Sequence, residues 1–244
     1  CNLLKINNLM MKKLLLLLLF IPLVSFVKSN ITTQERSIED FDGVSVSGPF
    51  NVQINSSLDQ KIVIEADEKI IDDIITEIKN GMLIIKSKKR IFKKSSLYSN
   101  INIQIPQKSL KKTIVSGSGK LYNTVTFDTS NLKAVVSGSG ELNLVLKSNS
   151  IDVINSGSGK IILKGSSTNT TIKSSGSGTN KLEYLTSENS DIKISGSGYV
   201  NINCTKNLNV NITGSGKVRY IKNPDINIST KISGSGSVGS ISYK

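Results

Sequence analysis

The chain has 244 residues, no Trp and 5% aromatic side chains, so its core must be aliphatic, and its length allows one large domain or two small ones. Ile, Leu and Val recur in short alternating runs among Ser, Asn, Thr and Lys, with 19 Gly and 4 Pro, a β-rich composition that excludes extended helical domains. The formal charge is +13 and there is no His, which removes the commonest general base, metal ligand and catalytic-triad member.

In chain order, Met11-Lys12-Lys13 precedes an apolar run from Leu14 to Phe20 and then Ile21-Pro22-Leu23-Val24-Ser25-Phe26-Val27-Lys28-Ser29. A short basic segment, an apolar stretch and a small residue, with Val27 and Ser29 at the −3 and −1 positions, predict an export signal cleaved after Ser29. The run is short and Pro-interrupted for a membrane span, and the alternative to cleavage is an uncleaved anchor. No Cys follows the apolar run, so the usual lipoprotein attachment point is missing, and translation is expected to start at Met10 or Met11. Residues 1–29 are therefore set apart as upstream extension and signal, and residues 30–244 are read as a single β-solenoid domain that keeps +9 of the charge. Such a surface favours anionic polysaccharide, lipid headgroups or nucleic acid through a non-specific field. The structural reading is that Lys keeps a repetitive β protein soluble and discourages edge-to-edge pairing.

Residues 38–115 read as divergent N-terminal coils. Phe41 to Ile54 looks like a first coil with Ser47-Gly48-Pro49 as a variant corner, and a strand follows at Lys61 to Glu65. Ile70, Ile71, Ile74, Ile75 and Ile78 then recur at helical spacing behind Asp67, which predicts one short amphipathic helix with Asp67 as N-cap. Asn80-Gly81 is a turn into a strand from Met82 to Lys86. Lys86, Lys88, Lys89, Arg90, Lys93 and Lys94 form a dense basic loop with one aromatic, Phe92. Without a stacking platform it reads as a solvated loop rather than a nucleic-acid site. A strand at Ile101 to Pro106 leads into the regular array.

Residues 116–244 carry the repeat. Gly-Ser-Gly occurs with its glycines at Gly117 and Gly119, Gly138 and Gly140, Gly157 and Gly159, Gly176 and Gly178, Gly196 and Gly198, Gly214 and Gly216, and Gly234 and Gly236, in steps of 21, 19, 19, 20, 18 and 20 residues. Such a period is that of a solenoid whose coils stack on their neighbours, and coils of roughly 20 residues without room for a helix predict a parallel β-helix, an all-β fold. One coil reads as a strand from Glu141 to Leu146, a polar turn Lys147-Ser148-Asn149-Ser150 and a strand from Ile151 to Ile154. Thr129-Ser130-Asn131, Ser166-Ser167-Thr168-Asn169, Ser187-Glu188-Asn189-Ser190 and Lys206-Asn207 are turn-forming residues at matched places. Around the motif, Val136, Gly138, Gly140 and Leu142 alternate. Two readings stay open: an extended stretch with glycines inward and serines outward, or a corner that needs positive φ.

Cys1 lies ahead of the signal, so a processed chain keeps one thiol, Cys204, which shares parity with Val200 and Ile202 and reads as a buried, inert side chain. The acids of the array, Asp128, Glu141, Asp152, Glu183, Glu188, Asp191 and Asp225, do not recur at one coil position, so no carboxylate constellation for glycosidase or lyase chemistry is legible. No calcium-binding repeat follows the glycines either.

Phe41-Asp42-Gly43-Val44, Ser47-Gly48-Pro49-Phe50-Asn51-Val52, Ile64-Glu65-Ala66-Asp67, Asn80-Gly81-Met82-Leu83-Ile84-Ile85, Ile103-Gln104-Ile105-Pro106 and Val115-Ser116-Gly117-Ser118-Gly119 resemble, in that order, the landmarks of the head GIN domain family of putative auto-transporter adhesins. The resemblance runs from about Ile38 to the C-terminus and implies a right-handed β-helix on an exported protein of Bacteroidetes-like bacteria. It supplies no catalytic residues. The expectation is an exported, non-catalytic envelope or surface module acting through its solenoid side, without cofactor or metal, on a glycan, an envelope component or another protein, and able to self-associate through its ends. The alternative is a pectate-lyase-like enzyme acting on acidic polysaccharide.

Overall fold

The computed structural model describes residues 30–56, 59–88 and 101–241, so the export signal and most of the basic loop lie outside the described residues. The molecule is an all-β solenoid with coils of about 20 residues. Its first strands are β1 (Ile31–Ser37), β2 (Gly43–Ser47), β3 (Asn51–Asn55), β4 (Lys61–Asp67), β5 (Ile74–Lys79), β6 (Met82–Ser87), β7 (Asn102–Pro106), β8 (Lys112–Gly117) and β9 (Lys120–Asn123). The long strands of the array follow as β10 (Phe127–Gly138), β11 (Glu141–Gly157), β12 (Lys160–Gly176), β13 (Thr179–Gly196) and β14 (Tyr199–Gly214), and the chain ends with β15 (Lys217–Ile221), β16 (Asn227–Ser233) and β17 (Ser237–Ile241).

Each coil lays one segment on each of two parallel faces and turns between them at Gly-Ser-Gly. Gly138 pairs with Gly117 on one side and Gly157 on the other, and Gly157 pairs with Gly176, so equivalent corners are spatial neighbours. The unequal steps are absorbed elsewhere: the extra residue of the coil ending at Gly196 is taken up by a bulge opposite Ile162–Lys164. Alternation along β11 sends Leu142, Leu144, Leu146, Ile151 and Val153 into one aliphatic core that runs the length of the solenoid. Pairing continues through the polar turn of β11, from Lys147 opposite Ser166 to Ser150 opposite Asn169, where the sequence predicts two strands broken by a turn.

The two glycines of each motif have different tasks. Every first glycine has φ between 99° and 119°, so it is a corner that a residue with a side chain enters only under strain. Every second glycine from Gly119 to Gly216 is buried. A Cβ on Gly159, for instance, would come 2.4 Å from Val136 Cγ1 and 2.9 Å from the Gly140 carbonyl oxygen. Backbone bonds lock the corners together, with Ser158 N–H donating to Gly138 O at 3.0 Å and Lys160 N–H to Gly140 O at 2.9 Å. In the first coil Gly48 takes the corner, with φ 142°, and Phe50, 1% exposed, stands where later coils have the second glycine.

The helix expected behind Asp67 does not form. Only Ile71–Asp73 make a 3-10 turn, and Ile74–Lys79 is strand β5, antiparallel to β6 across Asn80-Gly81. Both turn residues have positive φ, 51° and 73°, which is the geometry of a tight hairpin. Five β-branched isoleucines fit a pleated surface better than a helix once a partner strand is two residues away. Arg36 of β1 adds a tertiary reason, donating to Ile74 O at 2.6 Å and Ile71 O at 3.2 Å. Strand β1, which the sequence reading did not anticipate, pairs antiparallel with β4, and β4 pairs antiparallel with β7. Strand order also departs from chain order. β2 lies between β6 and β8, and β3 lies between β7 and β9, so the coil that comes first in sequence is covered by β6 and β7. Outside these, β4 pairs with β7, β1 with β4 and β5 with β6, and they form the N-terminal end.

Candidate ligand-binding groove

The polar turns that join the two faces stack as regularly as the glycine corners. In successive coils a hydroxyl donates to the carbonyl two residues on: Thr129 to Asn131 at 3.2 Å, Ser148 to Ser150 at 2.9 Å, Ser167 to Asn169 at 2.8 Å and Ser187 to Asn189 at 2.9 Å. Cys204 occupies the next place in this column, opposite Ser187, and its thiol reaches Asn207 O at 3.2 Å. The cysteine is fully buried, so its place is structural, as its parity suggests. Beside it runs an asparagine ladder, in which Asn189 donates to Asn169 at 3.2 Å, Asn207 to Asn189 at 2.8 Å and Asn227 to Asn207 at 3.4 Å.

Where the turns at 129–131, 147–150 and 166–168 meet the strand ends, they wall an open groove of about 1030 Å³. Its chemistry comes from Ser, Thr and Asn groups, from Lys111, Lys133 and Lys147, and from Asp128, Asp152 and Glu188. No aromatic side chain lines it, so a ligand there is held by hydrogen bonds and charge rather than by stacking. Glu188 is engaged by Lys206 at 2.7 Å, and Lys111 bonds Asp42 at 2.9 Å.

The scattered acids fall out as follows. Asp152 and Asp191 share one column with Thr171 between them, so their backbones are two rungs, about 10 Å, apart; this corrects the expectation that no acid position recurs, and the signal was available, since both stand five residues before the first glycine of their motif. Glu141 bridges Lys120 at 3.2 Å and Lys160 at 3.6 Å on the coils either side, just past the glycine corners. Among the described residues no group of three or more Cys, Asp or Glu could hold a metal ion.

A second polar feature, unread in the sequence, lies inside the core. Asn155 and Asn180 are 0% exposed and Ser174 is 2% exposed. Asn155 donates to Gly159 O at 3.0 Å and to Asn180 Oδ1 at 3.1 Å, and Asn180 donates to Ser174 Oγ at 3.3 Å. The signal was available, since Asn155 shares parity with Ile151 and Val153 and Asn180 stands in register with Ile161 and Val200.

The fold is shared with solved bacterial proteins. The chain is similar to a putative adhesin from Bacteroides fragilis (21% identity, TM-score 0.77, covering 87% of this chain and 97% of that one). It is similar to a putative lipid binding protein from Parabacteroides distasonis (24%, 0.70, 88% and 98%) and to a putative adhesin from Parabacteroides merdae (21%, 0.65, 88% and 98%). No curated protein matches the chain. The family model described as "Putative auto-transporter adhesin, head GIN domain" matches residues 40–224, a span that takes in six of the seven Gly-Ser-Gly corners and the groove. The chain therefore belongs to the head GIN domain family.

Proposed function

We propose that the protein is an exported, non-catalytic binding module of the cell envelope or surface, and that its polar groove holds a stretch of acidic polysaccharide. The observation that carries this reading is the groove itself: three stacked turns repeat hydroxyl and amide groups at the rung spacing of about 4.8 Å, with Lys111, Lys133 and Lys147 beside them. A polymer of similar sugar units meets the same donors and acceptors on each rung, and the lysines favour acidic units. The open shape and missing aromatics predict modest affinity that salt weakens.

The test is retention of residues 30–244, which contain every described strand, on acidic and neutral polysaccharides at low and high salt, with release of reducing or unsaturated ends followed in parallel. Retention on acidic polymers is expected to fall severalfold at high salt and in a Lys133→Ala/Lys147→Ala variant, without turnover. Binding indifferent to both changes defeats the groove. Turnover abolished by Asp152→Asn makes the protein an enzyme, and preference for anionic lipid vesicles over every polysaccharide moves the ligand to a headgroup.

Export completes the proposal. The Met11–Ser29 pattern supports removal of the signal after Ser29, and mass spectrometry of protein recovered from the native envelope is expected to give Asn30 as the mature N-terminus. An intact Leu14–Phe20 segment in that protein excludes the cleavage.

A further inference from the structure

The two ends of the solenoid are unlike. At the N-terminal end β1 and β5 lie antiparallel across the outermost strands, Arg36 ties β1 to the carbonyls of Ile71 and Ile74, and the interior beneath is sealed, with Ile62, Ile64, Leu83 and Ile85 at 0% exposure. Charges also guard that edge, among them the Lys61–Glu35 pair at 2.9 Å and the Glu77 pairs with Lys86 at 2.8 Å and Lys79 at 3.0 Å. At the other end, β16 pairs only with β14 and β17 only with β15 among the described residues. Ile228 and Ile232 stand in register with the buried Leu208 and Ile212, yet they are 38% and 41% exposed. Among the described residues this rung thus presents inward-pointing aliphatic side chains together with two backbone edges that no other strand pairs, and Lys231 is the one charged residue in its two strands. An edge so little defended is a template for another strand.

We infer that a second copy of this chain covers this rung, C-terminal end to C-terminal end, in a two-fold dimer whose β16 strands pair antiparallel about Thr230. At the N-terminal end the edge strands β1 and β5 run antiparallel to their neighbours and carry Glu35, Arg36, Glu77 and Lys79, so head-to-tail stacking would break the parallel register and set charges against the aliphatic rung, whereas the C-terminal rung meets its own kind. The sequence Asn227-Ile228-Ser229-Thr230-Lys231-Ile232-Ser233 suits a two-fold. With Thr230 opposite Thr230, Ile228 falls opposite Ile232, Asn227 opposite Ser233, and Lys231 opposite Ser229 rather than opposite its own copy. Apolar residues then meet on the inner side, and like charges are not directly opposed. A contact of this kind is isologous and closes at two copies instead of growing into a filament. Because Asn227 at the polar turn lies opposite Ser233 beside the glycine corner, the two copies of the groove stand on opposite edges of the dimer.

The experiment is sedimentation velocity and light scattering of residues 30–244, beside an Ile228→Lys/Ile232→Lys variant. Twice the mass of one chain is expected for the parent, and one chain for the variant at the same concentration, with dissociation strengthened by at least about tenfold. Both side chains are already partly exposed, so the variant should keep its circular dichroism and melting temperature. Thr230→Cys supplies a readout that does not depend on that variant folding. Oxidation should link two chains through the introduced thiols, because residue 230 faces its own copy and the native Cys204 is buried. A parent that stays monomeric, a double variant that remains dimeric, open-ended filaments, or no cross-link at residue 230 in a dimeric sample each overturn the inference.

Discussion

Gly157→Val is expected to destabilise the protein by about 3–5 kcal/mol, combining the strain of a forbidden backbone conformation with overpacking between rungs. Gly157 has φ 119°, and a Cβ there would lie 2.8 Å from Gly138 O and 3.1 Å from Gly138 N. Those atoms are backbone, so no rotamer change relieves the contact, and the Ser158 N–H bond to Gly138 O at 3.0 Å is pushed apart with it. The adjacent Ser158 is exposed, and Ser158→Ala keeps that backbone bond, so its effect should stay below about 0.5 kcal/mol. In thermal melts the valine variant should fall by about 10 °C while the alanine variant is nearly unchanged. Equal melting temperatures would show that the corner tolerates a side chain and that the column of positive φ is not what sets the coil.

The second large effect concerns the buried amides. Asn155→Val removes the donor to Asn180 Oδ1 and leaves that buried acceptor unpaired, while Gly159 O keeps the Thr179 N–H at 3.0 Å. An orphaned buried acceptor costs about 1–3 kcal/mol, and a loss of that size is expected. Replacing Asn155 and Ser174 by Val and Asn180 by Leu together removes the whole set of partners, and neighbouring coils already carry Val136, Ile194 and Ile161 at these places. The triple variant should therefore be about as stable as the parent or more so, since apolar replacement of a complete buried polar set is often neutral or favourable. Denaturant unfolding of the single and triple variants measures the difference. A triple variant weaker than the single one would mean that the amides stabilise the core by more than their mutual satisfaction.

The same network bears on how a repetitive chain finds one register. Most rungs offer interchangeable aliphatic side chains, so a slip of one coil would exchange Ile for Leu or Val at little loss. Asn155, Ser174 and Asn180 break that degeneracy, because a slipped register sets an amide against hydrocarbon. The glycine corners work to the same end. Coils differ by up to three residues in step, from 18 to 21, yet the chain returns to a Gly-on-Gly pairing at every corner and places its irregularities in bulges such as the one opposite Ile162–Lys164.

Much of the architecture was legible in the amino-acid sequence because it follows from local pattern. Seven Gly-Ser-Gly copies at a near-constant step define stacked coils, period-two alternation defines which side of each strand is buried, and Asn80-Gly81 defines a turn into β6. The parity of Cys204 placed it in the interior, and the matched Ser, Thr and Asn residues marked the turns. What only the tertiary structure decided depends on which strand meets which. The isoleucines from Ile70 to Ile78 satisfy a helical period, but β6 and the Arg36 guanidinium offer backbone partners that make the extended form the better one. Chain order suggested that the coil at 41–54 is the end of the stack, whereas β6 and β7 lie outside it, because hydrogen-bond ladders join rungs without regard to their separation in sequence. The groove was illegible for the same reason: Lys111, Lys133, Asp152 and the turns at 129–131, 147–150 and 166–168 come from four coils, and only stacking brings them to one surface. Even within the motif, sequence left corner and extended stretch open, since a glycine's spelling does not reveal its φ. The structure assigns the strained corner to the first glycine and the buried, contact-limited place to the second, because a core side chain of the preceding coil, such as Val136 beside Gly159, leaves room there for a hydrogen and nothing larger.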